Sequence, residues 1–164
     1  MKKLILLCSS LLVLGCTNLP KTGQPQGIVG EWNLISETLT VGSEKYTTFD
    51  GENRKMVKIF TDSHFAFSSV GINRQRFSSY QLTAQQKVTA FDNFGGAMGR
   101  YTYNNNILTE HIHFSSFPNY EGMSIPFNIT IQGDTMIQEG HYPIIELGFG
   151  KQNGYLHAIF ERIR

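Results

Sequence analysis

The chain has 164 residues, with 14 Lys and Arg against 13 Asp and Glu and a formal net charge of +1. That near-balance, without a basic run, leaves no electrostatic footprint for nucleic-acid binding. Both cysteines, Cys8 and Cys16, stand close to the N-terminus, so neither a disulfide nor a cysteine nucleophile is expected in the rest of the chain.

The N-terminus runs from charged to apolar to small: Lys2 and Lys3, an apolar stretch over 4–14, then Gly15-Cys16. That order is a secretion signal, and the apolar stretch is shorter than the roughly 20 residues a permanent membrane helix needs. Leu12-Val13-Leu14-Gly15-Cys16 resembles the lipobox of bacterial lipoproteins, with Val13 where Leu is commoner. The resemblance implies a signal peptide over 1–15 and Cys16 as the lipidated first residue of the mature protein, carrying palmitate-type acyl groups. Two or more acyl chains make anchoring stable without a spanning helix. Thr17 stands where an Asp signals inner-membrane retention, which implies the outer membrane, with the domain facing the periplasm or the exterior. Residues 17–26, rich in Thr, Asn, Pro, Gly and Gln, read as a flexible spacer. Loss of Lys2 and Lys3 leaves 12 basic against 13 acidic side chains.

Residues 27–164, roughly 138 in number, suit one domain with one core. Segments rich in aromatic and β-branched residues recur between Gly, Asn and Asp turns, and no long stretch has helical spacing. The first strand is expected over 32–41, followed by a hairpin of 55–60 and 64–70 across Thr61-Asp62-Ser63. Weaker strands are expected over 76–82 and 87–92, joined by Thr83-Ala84-Gln85-Gln86, which alternatively forms a short helical turn. A hairpin of 100–103 and 107–115 turns over Asn104-Asn105-Asn106, residues that tolerate positive φ. A third pairs 124–132 with 135–139 across Gly133-Asp134, and 155–163 is the last strand. The apolar stretch 142–149 is either a loop at the mouth or an extra strand. About eight to ten antiparallel strands with short connections form a closed up-and-down barrel or a sandwich. Sequential hairpins favour the barrel, because closure removes exposed edges.

Gly30-Glu31-Trp32 at the start of the first strand resembles the Gly-x-Trp signature of lipocalins. In those barrels the Trp plugs the closed end beneath an Arg from near the last strand. Arg162 and Arg164 stand where such an Arg originates, so the resemblance makes Gly30, Trp32 and Arg162 the closing set. Further stretches resemble a family of secreted bacterial lipocalin-like domains of uncharacterised function. They are Lys58-Ile59-Phe60-Thr61-Asp62-Ser63-His64-Phe65-Ala66-Phe67, Gly95-Gly96-Ala97-Met98-Gly99-Arg100-Tyr101-Thr102-Tyr103, Thr109-Glu110-His111-Ile112 and Phe160-Glu161-Arg162. Ala97 and Met98 interrupt the family's glycine run, and Phe160 replaces its usual Trp. The resemblance implies a lipocalin-like barrel over 27–164.

Strand alternation sorts the side chains. On the 107–115 strand, Leu108, Glu110, Ile112 and Phe114 share the more apolar face, expected to point inward. On the last strand Leu156, Ala158, Phe160 and Arg162 share a face. A buried Glu110 then needs a partner, expected to be Arg162 or the hydroxyl of Tyr101 or Tyr103. Tyr101, Tyr103, Glu110, Ile112, Phe114 and Phe160 are thus the candidate ligand-cavity residues, serving either to fix the barrel or to orient an amphipathic ligand. His111 and His113 share a strand face and, with His64, are weak metal candidates. Alternation places Glu110 on the opposite face, so no metal or other cofactor is expected. No Gly-x-Ser-x-Gly, His-Glu-x-x-His or phosphate loop occurs, and adjacent Asp62-Ser63-His64 cannot form a relay. No enzyme is expected.

The sequence therefore points to a membrane-anchored lipoprotein whose barrel binds a small hydrophobic or amphipathic molecule. The rivals are an interaction protein of the envelope with a filled barrel and, less favoured, a metal-handling lipoprotein. They divide on one quantity, the free volume inside the barrel.

Overall fold

The computed structural model describes residues 27–164; the expected signal peptide 1–15, the lipidated Cys16 and the spacer 17–26 lie outside the described residues. The expected all-β architecture is the one found. Nine strands form one antiparallel sheet: β1 (Gly30–Val41), β2 (Glu44–Phe49), β3 (Arg54–Phe60), β4 (His64–Gly71), β5 (Phe94–Asn104), β6 (Ile107–Ser115), β7 (Ser124–Gln132), β8 (Thr135–Tyr142) and β9 (Gly154–Arg162). From β3 to β9 each strand pairs with its neighbour in sequence, and β9 returns to pair with β1 from Trp32 to Thr40. That last pairing closes a barrel of eight strands. β2 stays outside the ring: β3 pairs with Gly30–Asn33 and β2 with Glu37–Val41, so the two divide the edge of β1 that β9 leaves free.

The turns follow their residues. Asn105 and Asn106 adopt φ of 50° and 62° between β5 and β6, a left-handed pair that short polar side chains accept in a tight hairpin. The segment expected as weak strands departs from the reading. Residues 87–92 belong to a helix, α1 (Ala84–Asp92), while 72–83 has no strand. The cause is local: the Thr83 hydroxyl accepts the Gln86 amide, and the Gln86 side chain accepts the Thr83 amide, a reciprocal cap. No residue of α1 is buried, so this cap and not a core face sets the helix. In the stretch 142–149, expected as a loop or an extra strand, Tyr142 ends β8 and a short helix follows, α2 (Ile144–Leu147), ended by Gly148 at φ 77°. Among the described residues no helix is long and apolar enough to cross a membrane.

Three register shifts break the alternation. On β1, Leu34 faces Phe160 and Ser36 faces Ile159, leaving Ile35 as an extra residue. On β2, Thr48 is extra between Phe49 and Thr47. On β6, Ile112 faces Gly99 and Phe114 faces Met98, leaving His113 extra. Each such bulge reverses which side of the sheet later residues face. Gly99 makes the β6 bulge possible: a Cβ there would lie 1.9 Å from the His111 carbonyl oxygen.

One end of the barrel is solid. Trp32, Phe60, Phe65, Leu108, Met136 and Phe160 are all fully buried there. The Phe60 and Tyr101 rings meet edge to face at 5.3 Å.

Candidate functional site

Gly30, Trp32 and Arg162 meet at the solid end. The Arg162 guanidinium lies 4.1 Å from the centre of the Trp32 ring, and it donates to the carbonyls of Val29 (2.9 Å) and Gly27. The Trp32 indole N–H donates to the Ile28 carbonyl at 2.8 Å. Gly30, at φ 134°, leaves room for this arrangement, since a Cβ would stand 2.7 Å from Arg162 Nη1. A flat cation over an aromatic face, forked onto backbone oxygens, uses both properties that distinguish arginine from lysine. Arg162 is therefore not the partner of Glu110, as one expectation had it; carbonyl groups and Trp32 hold it at the far end.

Glu110 is partnered instead by Lys58. Lys58 lies on β3 between inward-facing Met56 and Phe60, Glu110 on β6 between Leu108 and Ile112, and Gln138 on β8 beside Met136. Lys58 Nζ donates to Glu110 Oε1 at 2.7 Å and to Gln138 Oε1 at 3.1 Å, while Gln138 Nε2 donates to Glu110 Oε1 at 3.4 Å. Lys58 is 3% exposed and Glu110 5%. Four rings, of Phe60, Phe65, Phe67 and Phe160, surround the ammonium at 5.5–6.0 Å. This answers the burial penalty: each charge has its counter-charge, and the Gln138 amide adds a hydrogen bond to each. The tyrosine hydroxyls expected to serve Glu110 are engaged elsewhere, Tyr101 on the Thr61 carbonyl (2.7 Å) and Tyr103 on Asn106 Oδ1 (3.3 Å). Burial holds both phenols above their ordinary pKa, with the Asp62 charge adding to the effect at Tyr101.

The polar triplet is a floor. Above it the barrel is hollow, with a cavity of about 430 Å³ whose lining includes Leu34, Met56, Phe67, Ile125 and Leu156. Pockets of about 300–1,000 Å³ with apolar walls and a few convergent polar groups are the usual form of small-molecule sites. Of the candidate cavity residues, Glu110, Ile112 and Phe160 line this space. Tyr101 and Tyr103 do not; they belong to the solid end. Phe114 is a correction: it is 64% exposed and faces outward beside Met98. The extra residue at His113 reverses the face, so Ser115 takes the inward position that strict alternation assigns to Phe114.

The same effect brings in a residue that alternation turns outward. Past the Ile35 bulge, Glu37 sits opposite Ala158 and lines the cavity, its carboxylate accepting from the Thr48 hydroxyl at 2.8 Å. Burial pushes the Glu37 carboxyl above its ordinary pKa, against the opposing pull of the Thr48 hydrogen bond and the Lys58 charge. Nearby, the hydroxyls of Tyr120 and Tyr142 are hydrogen-bonded to each other. Burial raises the pKa of both, and the charge of Glu37 raises both further. At the mouth Arg54 donates to Ser69 Oγ (3.1 Å) and to the Asp92 carbonyl (3.2 Å), and the rings of Phe117 and Phe149 stack at 5.0 Å.

The histidines do not converge. His64 Nδ1 is 2.8 Å from Ser63 Oγ, His111 Nδ1 is 2.8 Å from Ser124 Oγ, and His113 is the bulged residue. Among the described residues no group of three or more His, Cys, Asp or Glu side chains is placed to hold a metal ion.

A family model described as a lipocalin-like domain matches residues 29–163, which takes in every strand of the barrel. No curated protein and no solved structure matches the chain.

Proposed function

We propose that this chain, which belongs to the lipocalin-like domain family, is a binding protein that holds one small amphipathic molecule in the open half of its barrel. The observation that carries the reading is the cavity of about 430 Å³ closed below by Lys58, Glu110 and Gln138. Apolar burial at about 25 cal/mol per Å² drives binding, and the polar groups at floor and wall orient the ligand. A barrel plugged from end to end, the filled alternative, leaves no room for such a space. The role is non-catalytic. Native mass spectrometry of the protein purified from its own host tests it. One small-molecule adduct is expected, lost in Leu156→Trp, which fills the cavity. A bare mass, together with failure of an environment-sensitive naphthyl dye to enter, would sink the reading.

The proposal extends to location: an outer-membrane lipoprotein tethered through acylated Cys16, with the barrel beyond the spacer. Its support is the order of residues 1–16 and Thr17. Labelled palmitate should enter the wild type and not Cys16→Ala, and the wild type should sediment with outer membranes. An unlabelled, soluble wild type would remove the anchor and leave the barrel reading untouched.

A further inference from the structure

We infer that the ligand carries a cationic amine, seated against the Glu37 carboxylate, while its apolar body lies along the cavity wall. The inference rests on the binding reading above and specifies its chemistry.

The ions inside the barrel are unequally partnered. Lys58 and Glu110, at the cavity floor, neutralise each other across 2.7 Å. Arg54 is turned to Ser69 and the Asp92 carbonyl at the rim. Glu37 is different. It lines the cavity, its one hydrogen bond is from a neutral hydroxyl, and among the described residues it forms no ion pair. Of the charged groups on the lining, Lys58 and Arg54 are held by groups of the barrel itself, whereas Glu37 is a carboxylate whose hydrogen-bond partner is neutral. A desolvated carboxylate without a counter-charge is unfavourable, and an ammonium brought by a ligand offsets that cost directly. Burial also raises the Glu37 pKa, against the opposing pull of Thr48 and the Lys58 charge.

The surroundings suit an N–H donor. Thr48 Oγ1 already gives its proton to Glu37, and one hydroxyl of the Tyr120–Tyr142 pair donates to the other, so each oxygen keeps a lone pair for acceptance. An anionic head meets the opposite: the carboxylate of Glu37 repels it, and the Lys58 ammonium at the floor is already bonded to Glu110 and Gln138.

Dye displacement with decylamine, decanol and decanoate at neutral pH tests the inference on wild type and Glu37→Gln. Decylamine should bind tightest and decanoate weakest. Glu37→Gln should weaken decylamine roughly tenfold to a hundredfold, the range of a hydrogen bond to a charged group, and leave decanol unchanged. Equal affinity for decylamine and decanol, or a preference for decanoate, would overturn the amine assignment while cavity binding stands. If no probe binds, the cavity reading and the inference fall together. Should Glu37→Gln not fold, the wild-type order of the three probes decides alone.

Discussion

Substituting Lys58 by Met leaves the Glu110 carboxylate inside the barrel with only Gln138 to face it. Removing one member of a buried pair costs about 3–5 kcal/mol, because the other charge stays desolvated. For a domain of this size about 3 °C of melting temperature accompanies each kcal/mol. Lys58→Met should therefore melt about 10–15 °C below wild type. Adding Glu110→Leu removes the stranded charge but orphans the Gln138 amide, which has both its donor and its acceptor in this triplet. A buried unsatisfied amide costs about 1–3 kcal/mol, so the double variant should recover only in part. The triple variant with Gln138→Leu has an apolar floor of similar volume and should return close to wild type, since replacing a whole buried network is often neutral. Thermal melts by circular dichroism, with urea titrations for the free energies, measure the series. A Lys58→Met cost below about 1 kcal/mol, or a triple variant less stable than the single, would refute the account of the floor.

Three other outcomes follow from the geometry. Gly99→Ala drives a Cβ onto the His111 carbonyl and should cost about 3 kcal/mol or more, seen as insoluble or early-melting protein; Gly95→Ala, whose nearest neighbour is 3.8 Å away, should be tolerated. Arg162→Lys loses the fork onto Val29 and Gly27 and the planar stack on Trp32; a cost of about 2–3 kcal/mol is expected, with a red shift in the emission of the only tryptophan. Glu37 has a pKa raised on folding, so its protonated form is the one the fold prefers. Its stabilising contribution is complete below the unfolded value near 4.5 and is lost as pH rises through the folded one. Glu37→Gln should match wild type at pH near 4 and exceed it at neutral pH, in urea titrations across that range. A neutral-pH loss of stability would reverse the sign of the argument.

The sequence carried the barrel because hairpin signals are local: Asn105-Asn106 and Gly133-Asp134 mark turns wherever they stand. Trp32 and Arg162 were legible through the family resemblance, since a Gly-x-Trp and a late arginine are few and widely spaced. The floor was half legible. Glu110 demanded a partner, yet Lys58 was hidden because Val57 and Ile59 are as apolar as Met56 and Phe60, so alternation does not choose the face. Phe114 was misplaced, and Glu37 overlooked, for a different reason. A bulge is decided between two strands, by Gly99 against β6 and by β9 against β1, and reading one strand at a fixed period cannot register it. Residues 84–92 show the converse: a two-residue capping signal outweighed a vague strand pattern.

The pairing of β9 with β1 also sets the order in which the molecule can form. The hairpins from β3 to β8 join residues close in sequence and assemble early, whereas Arg162 reaches the carbonyls of Gly27 and Val29 across 135 and 133 residues. Loop entropy opposes so distant a contact until most of the sheet exists, which places ring closure late and makes folding slow, on the millisecond-to-second scale. Until β9 docks, β1 and β8 both present open edges, the features most prone to pair with another chain. The cavity is thus the last structure to be completed, and a chain halted before Gly154 has two sticky edges and no chamber.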